Sequence, residues 1–420
     1  MPTSAPCASS FIGDVALRRG STTEIVVVAD AGVCVSTNGG ATWLPAFAPG
    51  SGFSPVSIAY SSTGTVYAAG SDNIGPKIYK SAGGVGWTAA TAPAGFSRVV
   101  GIFVAPSNAS RLYALGDFNQ LATSPDAGAT WTAVALPTTC TLNSLGSTNV
   151  ALAIATSSET TAWLGCREGV IKATNATVAS PAWTTLSAPS GLTTNGVDGV
   201  TVRTLALHSS YPGTPSVWVG TQDAGLFATS NDGAAWTAID QNFASLNIRA
   251  LATHPRDTVP SVVLAGQGDS NSPSRPAWKL PSGASTWTAS ANGLNAEQLR
   301  ALSIDVTTTD NNSLTSEAFT VYGVGRSENF TTPRDGGIYK STNAGASWVT
   351  IDNGIPFDTA SPPRRSMGTV RAVTLDPRSC AAPPPSGPCA AGAGPLQTAY
   401  VGGSGRQNVA AGTYAVRRRQ

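Results

Sequence analysis

The sequence predicts an all-β fold, a single β-propeller of seven or eight four-stranded blades, with eight favoured. Charged residues make up only 11% of the chain, whereas glycine (45) and proline (29) are abundant. That composition suits short strands joined by tight turns better than long solvated helices. Seven tryptophans also recur at spacings of 44 to 61 residues, which is the length of one blade with loop insertions. They are Trp43, Trp87, Trp131, Trp183, Trp236, Trp287 and Trp348.

Four of these tryptophans end an eight-residue motif, here called the octet. It has Ser or Thr at position 1, Asp or Asn at position 3, Gly at position 5 and Trp at position 8. The hydroxyl and the Asp or Asn side chain are expected to bond the turn backbone, while Trp packs the turn against its sheet. The predicted structural residues are Ser36, Asn38, Trp43, Ser124, Asp126, Gly128, Trp131, Asn231, Gly233, Trp236, Ser341, Asn343, Gly345 and Trp348.

The strand pattern around the octets predicts one propeller domain over residues 1–420. The last repeat has no octet and ends one strand short, which would leave an exposed sheet edge. The segment before Phe11 could complete that repeat, and seven closed blades with a loose end is the alternative. The predicted blades span 11–47, 55–92, 98–136, 142–187, 199–241, 247–293, 299–354 and 369–420.

The octet Ser124–Trp131 resembles the Asp box of the bacterial neuraminidase-type (BNR) repeat. Four well-matched octets and three degenerate copies, which end at Trp87, Trp183 and Trp287, place such a turn in nearly every predicted blade. This, with the Val-Arg-x-Leu-Ala opening at Val202, resembles the group of xyloglucanase-type glycosidases, sortilin-type receptors and photosystem assembly factors. The early Arg-Ile-Pro motif of sialidases has no counterpart. The resemblance implies the propeller architecture and no particular activity, because these families share the turn and differ in chemistry.

Six cysteines without a C-x-x-C spacing predict disulfides and an oxidising compartment, which is extracellular, at the cell surface or periplasmic. The predicted pairs are Cys380 with Cys389, Cys140 with Cys166, and Cys7 with Cys34. No apolar run reaches membrane-spanning length. The first residues lack signal-peptide features, so any export signal is expected to have been removed or replaced.

Carboxylates recur in the loops between the second and third strands of the predicted blades, on the top face. They are Asp30, Asp72, Asp117, Glu168, Asp223, Asp269, Glu328 and Asp335. They predict either an acidic rim or catalytic carboxylates, and the competing interpretation is that Asp simply favours Gly-rich turns. The loops holding Asp30 and Asp223 are similar to those in which xyloglucanase-type enzymes hold their acid and base, so these two are the tentative catalytic residues of a glycoside hydrolase.

Arg203, Arg249, Arg300 and Arg371 share one register near the start of the first strand in four successive repeats. They are the predicted ligand-binding residues, because a planar guanidinium suits a carboxylate or sulfate group. The alternative is that each arginine pairs with an acidic loop residue and joins neighbouring blades.

The preferred prediction is a non-catalytic scaffold that binds a protein or glycan partner on its top face. Long insertions at 307–317, 326–336 and 377–397 favour binding. The alternatives are a xyloglucanase-like glycoside hydrolase and a subunit or assembly factor of a membrane-associated complex. A net charge of +2 and two histidines give no reason to expect nucleic acid, a metal or another cofactor.

Overall fold

The computed structural model describes an all-β chain, as the sequence predicts, with no helix among the residues it describes. Consequently no described segment is a helix long and apolar enough to cross a membrane. The described residues are 12–17, 24–29, 32–38, 42–47, 52–84, 86–117, 119–142, 151–155, 157–186, 200–208, 211–239, 243, 246–253, 263–267, 277–281, 286–294, 296, 298–305, 319–326, 337–351, 367–375, 380, 389, 396, 398–405 and 414–417.

The first three sheets each contain four antiparallel strands in chain order, named A to D within a sheet. Sheet 1 consists of β1 (Ile12–Leu17), β2 (Ile25–Ala29), β3 (Gly32–Ser36) and β4 (Leu44–Pro45). Sheet 2 consists of β5 (Ser54–Tyr60), β6 (Val66–Ser71), β7 (Pro76–Ser81) and β8 (Thr88–Ala90). Sheet 3 consists of β9 (Val99–Val104), β10 (Leu112–Gly116), β11 (Gln120–Ser124) and β12 (Thr132–Val134).

The next three sheets repeat the same order of strands. Sheet 4 consists of β13 (Leu152–Ile154), β14 (Ala162–Cys166), β15 (Gly169–Ala173) and β16 (Thr184–Thr185). Sheet 5 consists of β17 (Val202–Leu207), β18 (Val217–Thr221), β19 (Leu226–Thr229) and β20 (Thr237–Ala238). Sheet 6 consists of β21 (Ile248–Thr253), β22 (Val263–Gln267), β23 (Ala277–Leu280) and β24 (Thr288–Ala289).

The prediction of seven or eight separate four-stranded blades is wrong, because the last seven strands form one sheet. That sheet is continuous because β26 pairs with β25 on one side and, at Arg326 and Thr369, with β29. The described part of the chain therefore has six four-stranded sheets. The seven-stranded sheet consists of β25 (Gln298–Ile304), β26 (Val321–Arg326), β27 (Ile338–Ser341), β28 (Val349–Thr350), β29 (Met367–Leu375), β30 (Thr398–Gly405) and β31 (Tyr414–Arg417).

Closure by the segment before Phe11 was the other part of that prediction, and this segment lies outside the described residues. Strand β1, which follows it, packs against β29 and β30. The long insertions expected to favour binding also lie almost wholly outside the described residues.

The chain divides into two compact units. One comprises Met1–Ala46, Asn242–Ser245 and Arg249–Gln420, and the other comprises Phe47–Gln241 with Leu246–Ile248. The second unit, called unit 2, contains sheets 2 to 5.

The core of unit 2 lies in layers between neighbouring sheets. Tyr67 of sheet 2 packs with Val99 of sheet 3, and Trp163 of sheet 4 packs with Val219 of sheet 5. Strand B is apolar because both of its faces are covered, and every residue of β14 is buried. Strand D is only two or three residues long, which limits edge pairing.

A glycine near the end of strand B lies tightly against neighbouring segments. A Cβ atom added at any of these positions would lie 2.1 to 2.6 Å from a neighbouring atom, which is too close for any side chain. At Gly220 the neighbours are Thr204 of the same sheet and Ile248. The glycines concerned are Gly70, Gly116, Gly165, Gly220, Gly266 and Gly325.

Two of the predicted disulfides are confirmed. Cys140 bonds to Cys166 with a Cα–Cα distance of 5.1 Å, and Cys380 bonds to Cys389 with a Cα–Cα distance of 6.3 Å. Cys34 is also disulfide-bonded, while its predicted partner Cys7 lies outside the described residues.

Candidate functional site

The octet residues form the same hydrogen-bonded turn in sheet 3, in sheet 5 and in β25–β28. Strands β25–β28 are part of the seven-stranded sheet, and this part is called sheet 7 below. In sheet 3 the Ser124 hydroxyl donates to Asp126 Oδ1 (2.8 Å) and accepts from Gly128 N (2.9 Å). Asp126 Oδ1 accepts from Thr130 N (2.8 Å). Thr229, Asn231 and Gly233 repeat this pattern in sheet 5, and Ser341, Asn343 and Gly345 repeat it in sheet 7.

The octet of sheet 1 shows the described part of the same pattern. Ser36 donates to Asn38, and Asn38 Oδ1 accepts from Thr42 N at 2.8 Å. Where the indole nitrogen of an octet tryptophan has a hydrogen bond, it reaches the end of the preceding sheet. Trp131 donates to Thr91 O (2.7 Å) and Trp348 donates to Ser290 O (2.8 Å), and the side chains of Trp43 and Trp236 are buried. The octet side chains therefore stabilise their own turns, and Trp131 and Trp348 also connect neighbouring sheets.

Asp126 is the one Asp at position 3 of the four octets, and its carboxylate is stabilised by the turn. Hydrogen bonds from the Thr130 hydroxyl and the Thr130 backbone nitrogen lower the pKa of Asp126 to about 2, against a smaller opposing effect of burial. A carboxylate held in this way has a structural role.

Three carboxylates of the B–C turns in unit 2 also accept hydrogen bonds within the fold. Asp72 Oδ1 accepts hydrogen bonds from Ile74 N (2.8 Å) and Gly75 N (2.9 Å), which closes the turn of sheet 2. Burial raises the pKa of Asp72, but these two bonds and the nearby Lys77 outweigh it and lower the pKa overall. For Asp72 the competing interpretation of the sequence, a turn-forming Asp, explains the residue.

Asp117 and Glu168 accept hydrogen bonds from the connections beside the turns of sheets 3 and 4. Both carboxylate oxygens of Asp117 accept from Arg98, at 2.9 and 3.1 Å. Glu168 Oε2 accepts from Thr141 N (2.6 Å), next to the Cys140–Cys166 disulfide. Each of these carboxylates therefore already accepts at least one hydrogen bond within the fold.

The B–C turn of sheet 5 is closed by a hydroxyl instead. Thr221, which is fully buried, donates to Gly225 O (2.7 Å) and accepts from Ala224 N (3.0 Å). Asp223 lies at the tip of this turn, is exposed, and makes no hydrogen bond to a described residue. Of the four described B–C carboxylates of unit 2, Asp223 is therefore the one that accepts no hydrogen bond from a described residue.

Arg203 lies beside this turn at a β-bulge. The pairing of β17 with β18 shifts register between Val202 and Thr204, so Arg203 is the extra residue of the bulge. Bulges redirect a side chain and recur next to functional sites. The hydrogen bond from Gln222 N to Thr201 O (2.8 Å) ties the tip of the turn to the start of the same strand.

The charge of Arg203 is only partly compensated. Its Nε is buried and has no hydrogen-bond partner. Burial lowers the pKa of Arg203 from its usual value, and the Asp223 carboxylate opposes that effect. The two side chains attract each other but form no direct ion pair, in contrast to Arg98 and Asp117.

The other predicted site residues are placed as follows. Arg300 also occupies a bulge, between Leu299 and Ala301, and donates two hydrogen bonds to Gln298 Oε1 at 3.1 and 2.8 Å. Arg371 lies at a bulge of β29, and Arg249 lies in β21 with a partly buried side chain. The tentative catalytic Asp30 lies outside the described residues, as do Asp269, Glu328 and Asp335.

Sequence reasoning missed Thr221, which frees Asp223, and the bulge that directs Arg203. One available signal was the Thr at the start of a Gly-ended turn, since Thr can bond turn backbone in place of Asp. The sequence of one strand does not predict a bulge. The shared register of the four arginines was the one sequence feature that indicated a special position there.

No family model matches this chain, and neither does any curated protein. Solved structures are similar to it in fold. A structure described as an ancestral GH74 enzyme superposes with a TM-score of 0.51 at 15% identity, over 98% of this chain and 62% of that one. The chain therefore spans less than two thirds of that enzyme. YCF48 bound to D1 peptide gives a TM-score of 0.49 at 8% identity, over 99% and 94% of the two chains.

YCF48 from Cyanidioschyzon merolae is a further similar structure, with a TM-score of 0.43 at 10% identity, over 85% and 95% of the two chains. At these identities a likeness shows fold alone. Together with the repeated four-stranded antiparallel sheets, the likeness to the GH74 enzyme supports a single β-propeller.

Proposed function

We propose that this chain is a non-catalytic propeller scaffold that binds a protein or glycan partner through the B–C turn of sheet 5. The supporting observation is that Asp223 is exposed at the tip of this turn and accepts no hydrogen bond from a described residue. Arg203 lies at a bulge beside the same turn and supplies a positive charge there.

The choice of this turn depends on the contrast with its neighbours in unit 2. Asp72, Asp117 and Glu168 already accept hydrogen bonds from their own turns or from the connections beside them. A ligand at those positions would first have to break existing bonds. At Asp223 it would break none with a described residue.

Arg249, Arg300 and Arg371 remain proposed ligand-binding residues of the other unit. Of these, Arg300 is held in position by the buried Gln298, which orders the guanidinium before any ligand arrives. A preorganised arginine loses less conformational entropy on binding.

The same proposal includes compartment and repeat type. Disulfides such as Cys140–Cys166 and Cys380–Cys389 form and persist in oxidising environments, which favours an extracellular, cell-surface or periplasmic location. The hydrogen bonds shared by the octets support their assignment as Asp boxes.

A glycoside hydrolase is the second candidate, favoured by one observation. Asp223 is exposed and has no hydrogen-bond donor among the described residues, so it is accessible to a substrate. Glycoside hydrolysis requires a second carboxylate roughly 5–10 Å away, and the predicted one is Asp30. Loss of β-glucan turnover in both Asp223→Asn and Asp30→Asn would favour this candidate over the scaffold.

The scaffold proposal is tested by comparing Arg203→Gln with Arg98→Gln. Each variant removes one arginine beside a B–C turn of unit 2, but Arg98 already donates to both carboxylate oxygens of Asp117. Partners are sought by affinity purification from the source cells and on a polysaccharide array. We expect a partner at a fixed ratio, or a retained glycan, that is lost with Arg203→Gln and kept with Arg98→Gln. Equal retention by both variants would contradict the proposal. Co-purification with several subunits of one complex would identify the chain as a subunit or assembly factor.

A further inference from the structure

We propose that the Cys140–Cys166 disulfide positions the B–C turn of sheet 5, so that this turn is fully ordered only after the two cysteines have been oxidised. The inference rests on the proposed function, since it concerns how the turn that carries Asp223 is held. The disulfide itself lies in the neighbouring sheet 4. It joins the end of strand B to the connection that precedes the sheet, with a Cα–Cα distance of 5.1 Å.

The connection around Cys140 is anchored to sheet 3. Asn119, in the B–C turn of that sheet, donates from Nδ2 to Cys140 O (2.8 Å). Its Oδ1 accepts from Leu142 N, also at 2.8 Å. One side-chain amide therefore uses both its donor and its acceptor to fix the position of this segment.

The same segment is bonded to the turn of sheet 4 in two ways. Arg167 N donates to Thr141 O (2.8 Å), and Glu168 Oε2 accepts from Thr141 N (2.6 Å). The disulfide adds a covalent bond beside these hydrogen bonds, and it fixes the separation of Cys140 and Cys166 within narrow limits. The end of strand B in sheet 4 is thereby held to a segment that sheet 3 also holds.

Residues on either side of Cys166 contact the start of sheet 5. A Cβ atom added at Gly165 would lie 2.5 Å from Val202 Cγ1, so the two chains are in direct contact there. On the other side, Thr201 Oγ1 donates to Arg167 O (3.4 Å). The positions of Thr201 and Val202 therefore depend on the strand end that the disulfide restrains.

These two residues of sheet 5 hold the proposed binding turn. Val202 pairs with Thr221, whose hydroxyl accepts from the turn backbone. Gln222 N donates to Thr201 O (2.8 Å), and Asp223 is the next residue. A continuous series of bonds and contacts thus connects the disulfide of sheet 4 with the turn of sheet 5.

Forming this disulfide is an oxidation that depends on the compartment. The Sγ–Sγ bond forms as both thiols are oxidised, and the two electrons and two protons pass to a low-molecular-weight disulfide, whose own S–S bond breaks to give two thiols. This reaction proceeds in the oxidising compartment proposed above. Both sulfur-bearing side chains are buried, at 0% exposed for Cys140 and 1% for Cys166, so the bond is shielded once it has formed.

The test compares two variants of the whole chain that each lack one disulfide. Cys140→Ala/Cys166→Ala removes the bond beside the turn and leaves the buried positions apolar. The matched control, Cys380→Ala/Cys389→Ala, removes a disulfide of the other unit.

The readout is amide hydrogen exchange at Gln222, whose N–H bonds the start of strand A in sheet 5. The reference amide is Gly75, which donates to Asp72 in the turn of sheet 2 of the same unit. In Cys140→Ala/Cys166→Ala we expect Gln222 to exchange about tenfold faster and Gly75 to change by less than about twofold. Unchanged exchange at Gln222, equal acceleration at Gly75, or the same acceleration at Gln222 in the control variant would each overturn the inference.

If Cys140→Ala/Cys166→Ala does not fold, Thr201→Val decides. This variant keeps the disulfide and the shape of the side chain, and it removes only the hydroxyl that donates to Arg167 O. Gln222 should again exchange faster than in the wild type, by about threefold, with Gly75 unchanged. Equal exchange at Gln222 in Thr201→Val and wild type would overturn the inference. Neither measurement uses a partner, so failure here is distinguishable from failure of the partner assay with Arg203→Gln.

Discussion

The B–C turns of sheets 2 and 5 use different groups for the same task. In sheet 2 the Asp72 carboxylate accepts the turn N–H groups, whereas in sheet 5 the Thr221 hydroxyl does so. Both residues stand at the start of the turn, where each backbone nitrogen donates to the glycine that ends it. The difference leaves sheet 5 with a carboxylate, Asp223, that has no structural task among the described residues.

This comparison shows how a repeated scaffold can create one site among many similar turns. A carboxylate in a Gly-rich turn is by default a turn former. When another group closes the turn, as Thr221 does in sheet 5, the carboxylate is left without a turn bond, and Arg203 lies at a bulge beside the turn. The binding proposed for this turn then depends on Thr221 as well as on Asp223.

The largest effect is expected from Thr221→Val, which keeps the shape and removes the hydroxyl. Ala224 N would lose its acceptor, and Gly225 O would lose one of its two donors and keep Thr221 N, in a buried position. The free energy of unfolding should fall by about 1–3 kcal/mol, measured by urea denaturation. Thr221→Ser is the control and should retain most of the stability. A Val variant as stable as the wild type would mean that the hydroxyl does not close this turn.

A smaller effect should appear as a pH dependence of stability, which Asp72 gives to the turn of sheet 2 and Thr221 cannot give to the turn of sheet 5. The pKa of Asp72 is lowered in the folded chain, so its contribution is present above the unfolded pKa of about 4 and is lost as the pH falls through the lower folded value. Asp72→Asn should therefore be less stable than the wild type at neutral pH, and the difference should shrink as the pH falls below about 4. Thr221 does not titrate, so Thr221→Ser should show no such convergence. A difference for Asp72→Asn that stays constant down to acid pH would contradict this account.

The sequence predicted the local features of this chain well. The octets specify their own turns, because each hydroxyl, each Asp or Asn and each Gly acts within eight residues, as Ser124, Asp126 and Gly128 do. The Cys140–Cys166 and Cys380–Cys389 bonds were also predictable, since each pair is close along the chain.

Features that depend on neighbouring strands were not predictable in the same way. The pairing of Arg326 with Thr369, which joins the last strands into one sheet, depends on where two strand ends meet in space. The turn carboxylates look alike in the sequence. They differ in whether they accept the backbone N–H groups of the turn, as Asp72 does, or leave them to another side chain, as Asp223 does. Asp30 was paired with Asp223 from a resemblance, and its position lies outside the described residues.

The central claim is that Asp223 differs from the other B–C carboxylates of unit 2. The most direct measurement is the thermal unfolding midpoint of Asp72→Asn, Asp117→Asn, Glu168→Gln and Asp223→Asn under identical conditions at neutral pH. Each of the first three should unfold at a lower temperature than the wild type, because each loses an acceptor for a hydrogen bond in the fold. Asp223→Asn should match the wild type. A clear loss of stability in Asp223→Asn, or none in the other three, would contradict the account.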